Sequence, residues 1–362
     1  MRNILISIAL APYRLDFYNY IHQYYNCEIF FLQDNFTGQL FDTNKIKEEC
    51  TFTPHILNTG ILDIKILKKR KYIKNLKQII ESNQPDTIFV PEFSLTTIQV
   101  IFYKFFHKKK IKIVSICDDS YNILIGNGFS KLHHYARKLL MPFIDEIILV
   151  DNKVVDWYTR NYKKGIWVPI IRDEKILLQR FDKLQNKALE IRNRYSGRKI
   201  LLFVGRLINV KNIPILFQAY QQLQTQYELF IIGDGILKDE LEQLSKSLTI
   251  NVHFLGKKEG DELYLWYKIA DIFILPSYRE AFGAVTNEAL LAGCKCVISK
   301  HAGSSCLIKE GINGYTFNPY SAEELVECIK RTNALLSTDR TSQMPITFSE
   351  CMDNMLNKLN QL

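Results

Sequence analysis

The sequence predicts an α/β protein made of two doubly wound domains, each with a parallel β-sheet covered by helices. Short apolar runs alternate with longer helical stretches along nearly the whole chain. Strands that alternate with helices of about ten or more residues indicate βαβ units, whose parallel sheets are buried on both faces. The chain has 362 residues, which is long for one domain and sufficient for two.

The strands fall into two series separated by a polar helical segment. The first series is Asn3–Ile8, Cys27–Gln33, Asp86–Glu92, Lys112–Asp118, Asp145–Asp151 and Gly165–Pro169. The second is Lys199–Gly205, Glu228–Gly233, Val252–Gly256, Asp271–Ser277, Cys294–Lys300 and Gly314–Asn318. The separating segment, Lys175–Ser196, has a helical pattern. We therefore place the domains at residues 1–172 and 173–347, with a terminal helix at 348–362.

The composition is that of a globular protein. Hydrophobic residues make up 47% of the chain and charged residues 23%. No window reaches the roughly 18–20 apolar residues that a transmembrane helix needs. The apolar run before Pro12 lacks a small-residue cleavage site, so we interpret it as the first strand and not as a signal peptide. The eight scattered cysteines favour reduced thiols in a cytoplasmic protein over a disulfide framework or a zinc site.

The positive charge is concentrated in two segments. The net charge is +9, and residues 65–77 hold seven cations and no acid, while residues 104–112 hold five more cations. One interpretation is a solvated helix face. Because apolar residues alternate with the cations, a second is peripheral contact with an anionic membrane. Nucleic acid is not expected as a partner, since no nucleic-acid-binding motif is recognisable.

The stretch Asp271–Leu290 carries the most specific chemical signal. An apolar strand stops at Pro276-Ser277, a short loop carries Glu280, and a helix opening near Gly283 carries Glu288. The start of a helix leaves backbone N–H groups free and favours an anion such as phosphate. Two carboxylates beside it are suited to vicinal hydroxyls. The pattern therefore predicts a nucleotide-sugar site.

This stretch resembles the E-x7-E motif of retaining GT-B glycosyltransferases of family 4, through Pro-Ser-x-x-Glu280-x-Phe-Gly-x-x-x-x-Glu288-Ala. The resemblance is close over residues 199–335. It implies a GT-B fold with an acceptor-binding domain at 1–172, a nucleotide-sugar donor domain at 173–347, and a last helix that packs back on the first domain. It also implies hexosyl transfer with retention, no bound metal, no cofactor and a UDP-linked donor.

The same resemblance assigns roles to residues of the second domain. The counterpart of Glu280 contacts the hydroxyls of the donor sugar and the reaction centre, and that of Glu288 binds the ribose. Arg206 and Lys211 follow a strand, where two cations could neutralise a departing diphosphate, although an exposed loop pair would look the same. Gly233 lies in a turn near the donor base or in a purely structural turn. The backbone that would meet the sugar and diphosphate is Phe282, Gly283, Ala284, Val285 and Thr286.

The acceptor side departs from the family pattern. Where many members have a histidine, this chain has Cys117-Asp118-Asp119-Ser120, and Tyr13 and Arg14 follow the first strand. Asp118 and Asp119 could contact the acceptor or cap a helix. Adjacent aspartates point apart at a strand end, so we predict no metal there.

The function that these patterns favour is transfer of a hexose-type sugar from a nucleoside diphosphate to a glycan or lipid-linked acceptor. In bacteria this would serve surface polysaccharide synthesis, in the cytoplasm or at the inner face of the membrane. A UDP-sugar 2-epimerase and a non-catalytic nucleotide-sugar-binding scaffold are the alternatives.

Overall fold

The computed structural model describes residues 2–36, 41–64, 68–126, 131–195, 197–337 and 340–362. The chain divides into two compact units. The first consists of Met1–Asp119, Gly126–Ile170 and Ser349–Leu362, and the second of Ser120–Ile125 and Ile171–Phe348.

The elements alternate as βαβ patterning predicts. The strands are β1 (Asn3–Ser7), β2 (Cys27–Phe31), β3 (His55–Ile56), β4 (Thr59–Ile64), β5 (Lys68–Ile73), β6 (Thr87–Pro91), β7 (Lys112–Cys117), β8 (Glu146–Leu149), β9 (Ile166–Trp167), β10 (Lys199–Val204), β11 (Tyr227–Ile232), β12 (Val252–Phe254), β13 (Ile272–Leu275), β14 (Lys295–Ser299) and β15 (Gly314–Phe317). The α-helices are α1 (Leu15–Tyr25), α2 (Thr43–Glu48), α3 (Leu76–Asn83), α4 (Leu95–Phe106), α5 (Tyr121–Ile125), α6 (Lys131–Leu140), α7 (Asn152–Tyr162), α8 (Glu174–Asn193), α9 (Ile213–Gln221), α10 (Lys238–Ser247), α11 (Gly260–Ile269), α12 (Val285–Leu291), α13 (Ala322–Asn333) and α14 (Phe348–Asn360). Short 3-10 helices occur at Pro12–Arg14, Met141–Phe143, Asn209–Lys211 and Gly303–Leu307.

The first unit is built on a sheet of seven strands in the order β3-β2-β1-β6-β7-β8-β9. Its strand pairs are all parallel. Each strand predicted in the first series is present, with ends within two residues of the prediction. The prediction missed β3, because a pair of residues is too short to show a period of two.

The prediction of a helix face for residues 65–77 is wrong where the structure describes them. Residues 65–67 lie outside the described ranges. Lys68–Ile73 is strand β5, which pairs with β4 in an antiparallel hairpin, and α3 begins only at Leu76. A run of lysines and arginine has low intrinsic strand preference, so the pairing with Thr59–Ile64 decides its conformation.

The second unit is built on a sheet of six parallel strands in the order β12-β11-β10-β13-β14-β15. Apart from the half-buried edge strand β12, its strands are largely apolar runs buried on both faces, as the sequence predicted. The central strand β10 lies between β11 and β13. The loops that follow these three strands therefore lie next to one another at the carboxyl edge of the sheet, the usual position of a ligand site in such folds.

The terminal helix α14 contributes an apolar face to its unit. Phe348, Met352, Met355 and Leu359 recur at helical spacing and are buried. The rest of the helix, from Ser349, belongs to the first unit. There Asp353 accepts a hydrogen bond from the Tyr20 hydroxyl at 3.2 Å.

Two further sequence expectations concern cysteines and membrane spans. All eight cysteines are free thiols. Among the described helices, none combines the length and the apolar character needed to cross a bilayer.

Candidate active site

The loops after β10 and β11 touch through glycines. The Gly205 N–H donates to the Ile232 carbonyl at 3.0 Å. Gly233 has φ +142°, and a Cβ placed there would lie 1.8 Å from the Gly205 carbonyl oxygen. Only glycine fits this position, because both the dihedral and the approach exclude a side chain. The turn at Gly233 therefore fixes the position of the loop that carries Arg206.

An ion pair between Lys211 and Glu280 joins the loops after β10 and β13. The Lys211 ammonium contacts Glu280 Oε2, and the two side chains are 11% and 18% exposed. The Ser277 hydroxyl donates to the same oxygen at 3.3 Å. Glu280 Oε1 accepts no hydrogen bond from the described residues, so one carboxylate oxygen is held in place and the other is free.

Backbone hydrogen bonds hold the same two loops together. The Tyr278 N–H donates to the Val210 carbonyl at 2.9 Å. Asn212, which has φ +53° and is 2% exposed, donates from its side-chain amide to the Pro276 and Pro319 carbonyls at 3.2 and 2.7 Å. A buried amide with both donors used orders the loops that carry it. The ion pair thus sits on a fixed frame.

The loop from Glu280 to Thr286 is held by the segment after β14. The Gly303 and Ser304 N–H groups donate to the Glu280 and Phe282 carbonyls at 3.2 and 2.7 Å. The Ser304 and Thr286 hydroxyls form a hydrogen bond of 2.9 Å. The structural part of the Ala302–Cys306 segment is therefore to hold this loop.

Free backbone donors lie beside the ion pair. Gly283 has φ +92°, and a Cβ there would lie 3.2 Å from Glu280 Cγ and 2.7 Å from Leu275 Cδ2. Within the described ranges, the N–H groups of Gly283, Ala284 and Val285 donate no hydrogen bond. Helix α12 has seven residues and begins at Val285, two residues after the predicted opening near Gly283. The Lys211 ammonium group and the free amides of the neighbouring loop together form a setting for an anion.

The two predicted cations differ in their surroundings. Lys211 is 9% exposed and paired with Glu280. Arg206 is exposed, and its side chain forms no ion pair or hydrogen bond with any residue that the structure describes. Arg206 is therefore available to bind a ligand, whereas Lys211 is already paired with a carboxylate of the protein.

Glu288 has a partner that sequence reasoning missed. Its Oε1 lies 4.0 Å from Arg172 Nη1, and the side chains are 12% and 8% exposed. Arg172 also donates from Nη1 to the Tyr264 hydroxyl at 3.3 Å and from its backbone N–H to Asn287 Oδ1 at 2.8 Å. Burial first and then the charge of Glu288 raise the pKa of the Tyr267 phenol well above its ordinary value. A pairing this remote in sequence leaves no local pattern.

Each of the predicted acceptor residues of the first unit contacts a partner within that unit. Arg14, 5% exposed, forms an ion pair with Asp118, while Tyr13 packs edge-on against Phe41 at 6.4 Å. Asp119 accepts a hydrogen bond from the Cys117 thiol at 2.9 Å.

Glu92 joins Asp119 at the ends of the adjacent strands β6 and β7. Burial, then the charge of Asp119, raises the pKa of Glu92 to about 8, and burial raises the pKa of Asp119 to about 6. Glu92 has φ +50°, a strained dihedral that is often found at functional positions. The sequence analysis included Glu92 only as the end of a strand. The pairing of that strand with β7 is the signal that could have identified Glu92 as a neighbour of Asp119.

The predicted absence of a metal concerned Asp118 and Asp119. Asp118 pairs with Arg14, but Glu92, Cys117 and Asp119 place ligand atoms within 4.8 Å of one another. Burial raises the pKa of the Cys117 thiol well above its ordinary value, and a metal binds the deprotonated sulfur. As it stands, the cluster is suited to sharing protons.

The family comparison supports the motif. A family described as glycosyl transferases group 1 matches residues 185–340. That range contains every predicted donor residue from Arg206 to Glu288, and it confirms the resemblance stated from the motif.

Individual relatives match parts of the chain. An uncharacterized glycosyltransferase of Methanocaldococcus jannaschii is 36% identical over 140 residues, which are 38% of this chain and 36% of that protein. The chain therefore spans little more than a third of that relative's length. The Campylobacter jejuni enzyme GalNAc-alpha-(1->4)-GalNAc-alpha-(1->3)-diNAcBac-PP-undecaprenol alpha-1,4-N-acetyl-D-galactosaminyltransferase is 27% identical over 256 residues, covering 69% of this chain and 66% of that enzyme.

A solved structure matches over the whole chain. HepE of Anabaena, in complex with UDP, has a TM-score of 0.74 and 18% identity and covers 100% of both chains. The same protein has also been solved with UDP-glucose, at a TM-score of 0.73. These likenesses and the two parallel sheets confirm the GT-B fold.

The raised pKa of Glu92 predicts a pH-dependent stability. The folded carboxyl, with a pKa of about 8, keeps a proton that the unfolded one, with an ordinary value of 4.5, releases. The stability that Glu92 contributes is therefore fully present below about pH 4.5. It is lost between about pH 4.5 and 8, by at most about 1.4 kcal/mol per pH unit. Asp119 adds to the fall below about pH 6, and Asp118 and Arg70 modify it. Urea unfolding of Glu92→Gln across this range should give a flatter profile.

The matched control is Glu48→Gln, which changes an exposed carboxylate at the end of α2. It should keep the wild-type profile. If Glu92→Gln unfolded with the same pH dependence as wild type, the protonated state of Glu92 would be contradicted.

Proposed function

We propose that the chain, whose residues 185–340 match the family described as glycosyl transferases group 1, is a retaining glycosyltransferase. It moves a hexose-type sugar from a UDP-linked donor to a glycan or lipid-linked acceptor without a metal. The observation that carries the proposal is the contact between Lys211 and Glu280 beside the free amides of Gly283–Val285. This arrangement offers positive charge to a diphosphate and a carboxylate oxygen to a sugar.

The donor diphosphate is proposed to bind at Lys211, Arg206 and the free amides. An ammonium group has three donors, so Lys211 can keep its contact with Glu280 and still donate to phosphate oxygens. Arg206 adds a guanidinium with no competing partner. Negative charge on the diphosphate grows as the glycosidic bond breaks, so these cations stabilise the transition state more than the bound donor. HepE, which shares the fold, binds UDP and UDP-glucose.

Glu280 and Glu288 are proposed to bind the sugar and the ribose, respectively. Glu280 Oε1 is the unoccupied oxygen of an oriented carboxylate, which suits a donor hydroxyl near the reaction centre. Its negative charge also favours the positive charge that develops on the sugar. Glu288, oriented by Arg172, is suited to paired ribose hydroxyls. The turn at Gly233 approaches the base.

The acceptor is proposed to meet the first unit at Arg14, Asp118, Asp119 and Tyr13. A lipid-linked saccharide is the favoured class, since the Campylobacter jejuni relative is named for transfer to an undecaprenol-linked glycan. The acceptor hydroxyl would attack on the face from which the diphosphate leaves, and a phosphate oxygen would take its proton. No protein nucleophile is then needed. Such an enzyme would act in surface polysaccharide synthesis, in the cytoplasm at the inner face of the membrane.

The first test is the slow release of UDP and free sugar from UDP-hexoses in the absence of acceptor. Wild type should release both, and Glu280→Gln should nearly abolish release. UDP affinity should change little, because Gln keeps the shape and one acceptor oxygen. The melting temperature should fall, because Lys211 loses the carboxylate that offsets its burial. Glu288→Ala, in contrast, should weaken UDP itself by about 1–3 kcal/mol, because the ribose hydroxyls lose their partner in every state.

Other outcomes of this test would assign other functions. Conversion of a UDP-N-acetylhexosamine to its epimer without sugar release would make the protein an isomerase. Tight UDP-sugar binding with no turnover would make it a non-catalytic binding protein. Release by Glu280→Gln at the wild-type rate would remove Glu280 from the reaction.

Arg206→Ala and Lys211→Ala should distinguish the catalytic role of these cations at the diphosphate from the structural role of the Lys211 ion pair. Each should lower kcat for donor hydrolysis by about 10²-fold or more, with a smaller effect on donor affinity. Arg206→Ala should leave the free energy of unfolding unchanged, because its side chain is exposed and unpaired within the described ranges. Lys211→Ala should lower it by up to about 3 kcal/mol, because Glu280 is left largely buried without its cation.

Steady-state kinetics and urea unfolding of both variants provide the measurement. A change confined to KM would mean that the cations only hold the ground-state donor. Equal stability of the two variants would contradict the structural part of the Lys211 contact.

A further inference from the structure

The basic segments singled out from the sequence pack against each other in the first unit. Arg70–Lys77 runs from β5 into α3, and residues 104–112 run from the last turn of α4 to the start of β7. The side-chain amide of Gln99, on α4, accepts from the Ile73 N–H and donates to the Ile73 carbonyl, both at 2.9 Å. Cations that are far apart in the sequence therefore lie on one surface.

Three phenylalanines are exposed on the same surface. Phe102, Phe105 and Phe106 are 56%, 73% and 70% exposed. The rings of Phe102 and Phe106 stack at 5.9 Å, and Phe105 meets Phe106 edge-on at 5.6 Å. Single exposed apolar residues are ordinary, but a packed cluster of large ones marks a contact surface.

Two of the phenylalanines and two of the cations line a common groove of about 350 Å³. Its walls include Lys74, Lys77, Phe102, Tyr103, Phe106 and His107. Lys77 is partly neutralised by Glu81 at 3.8 Å, whereas Lys74 has no ion pair among the described residues.

We propose that this surface, defined by Lys74, Phe102, Phe105, Phe106 and Lys108–Lys110, binds an anionic lipid bilayer. Ammonium groups beside exposed rings fit a surface with phosphate groups outside and hydrocarbon beneath, and the cations are drawn to its negative potential. A binding site for duplex nucleic acid would use the cations and leave the phenylalanines without a role. The surface does not depend on the donor chemistry. If the proposed function holds, it brings the enzyme to a lipid-linked acceptor.

Co-sedimentation with vesicles of phosphatidylcholine, with and without phosphatidylglycerol, tests this inference. Wild type should bind only the vesicles that contain phosphatidylglycerol. Raising salt from 0.1 to 1 M shortens the screening length from about 10 to about 3 Å and should release most of it. Lys74→Gln/Lys109→Gln/Lys110→Gln should lower the partition coefficient by about 10²-fold. Phe105→Ser/Phe106→Ser should remove the fraction that resists salt.

Matched controls separate this surface from general charge and apolarity. Lys183→Gln/Lys187→Gln removes exposed cations of α8, and Ile236→Ser removes a side chain that is 87% exposed. Both should bind vesicles as wild type does. Every variant should keep the wild-type melting temperature and the wild-type rate of UDP release, so failure of this inference is distinct from failure of the proposed function.

Two results would overturn the inference. Vesicle binding that survives both the lysine and the phenylalanine substitutions would place the membrane contact elsewhere on the protein. Loss on the lysine substitutions alone, with the phenylalanine variant equal to wild type in high salt and with duplex DNA displacing the vesicles, would make the surface a polyanion site.

Discussion

The ion pair between Lys211 and Glu280 is the interaction on which the candidate site depends. It joins the loops that follow β10 and β13, neighbouring strands of one parallel sheet. Ser277 and the backbone of Val210 and Tyr278 hold the same junction. A largely buried lysine costs desolvation energy unless a carboxylate accompanies it. The glutamate therefore keeps a cation at the proposed diphosphate site, and Lys211 and Ser277 hold one of the two glutamate oxygens in place.

Charge is distributed differently in the two units. In the second, cations and free amides surround the Glu280 loop, and Arg206 has no internal partner among the described residues. In the first, carboxyl groups gather at the ends of β6 and β7, where burial raises the pKa of Glu92 to about 8 and of Asp119 to about 6. One unit is thus suited to stabilising an anion. The other can hold protons near neutral pH, which suits hydrogen bonding to hydroxyl groups.

The sequence predicted every strand of both sheets except the two-residue β3, because buried parallel strands are continuous apolar runs, and it predicted the position of Glu280 because the motif is local. It did not predict β5, whose lysines become a strand only by pairing with Thr59–Ile64. Nor did it predict that Arg172 orients Glu288, that Glu280 is paired with Lys211, or that Glu92 adjoins Asp119. Each of these contacts joins residues that are distant in the chain, and only the packing of the fold brings them together.

The measurement that tests the central claim most directly is a double-mutant cycle on Lys211 and Glu280, read in kcat for UDP release from a UDP-hexose. If one ammonium serves both the glutamate and the diphosphate, Lys211→Met and Glu280→Gln together should be little worse than the more damaging single change. The coupling should then reach about 2 kcal/mol, well beyond the additivity error of about 0.5 kcal/mol. Strictly additive losses would mean that the two residues act independently, and would contradict the account.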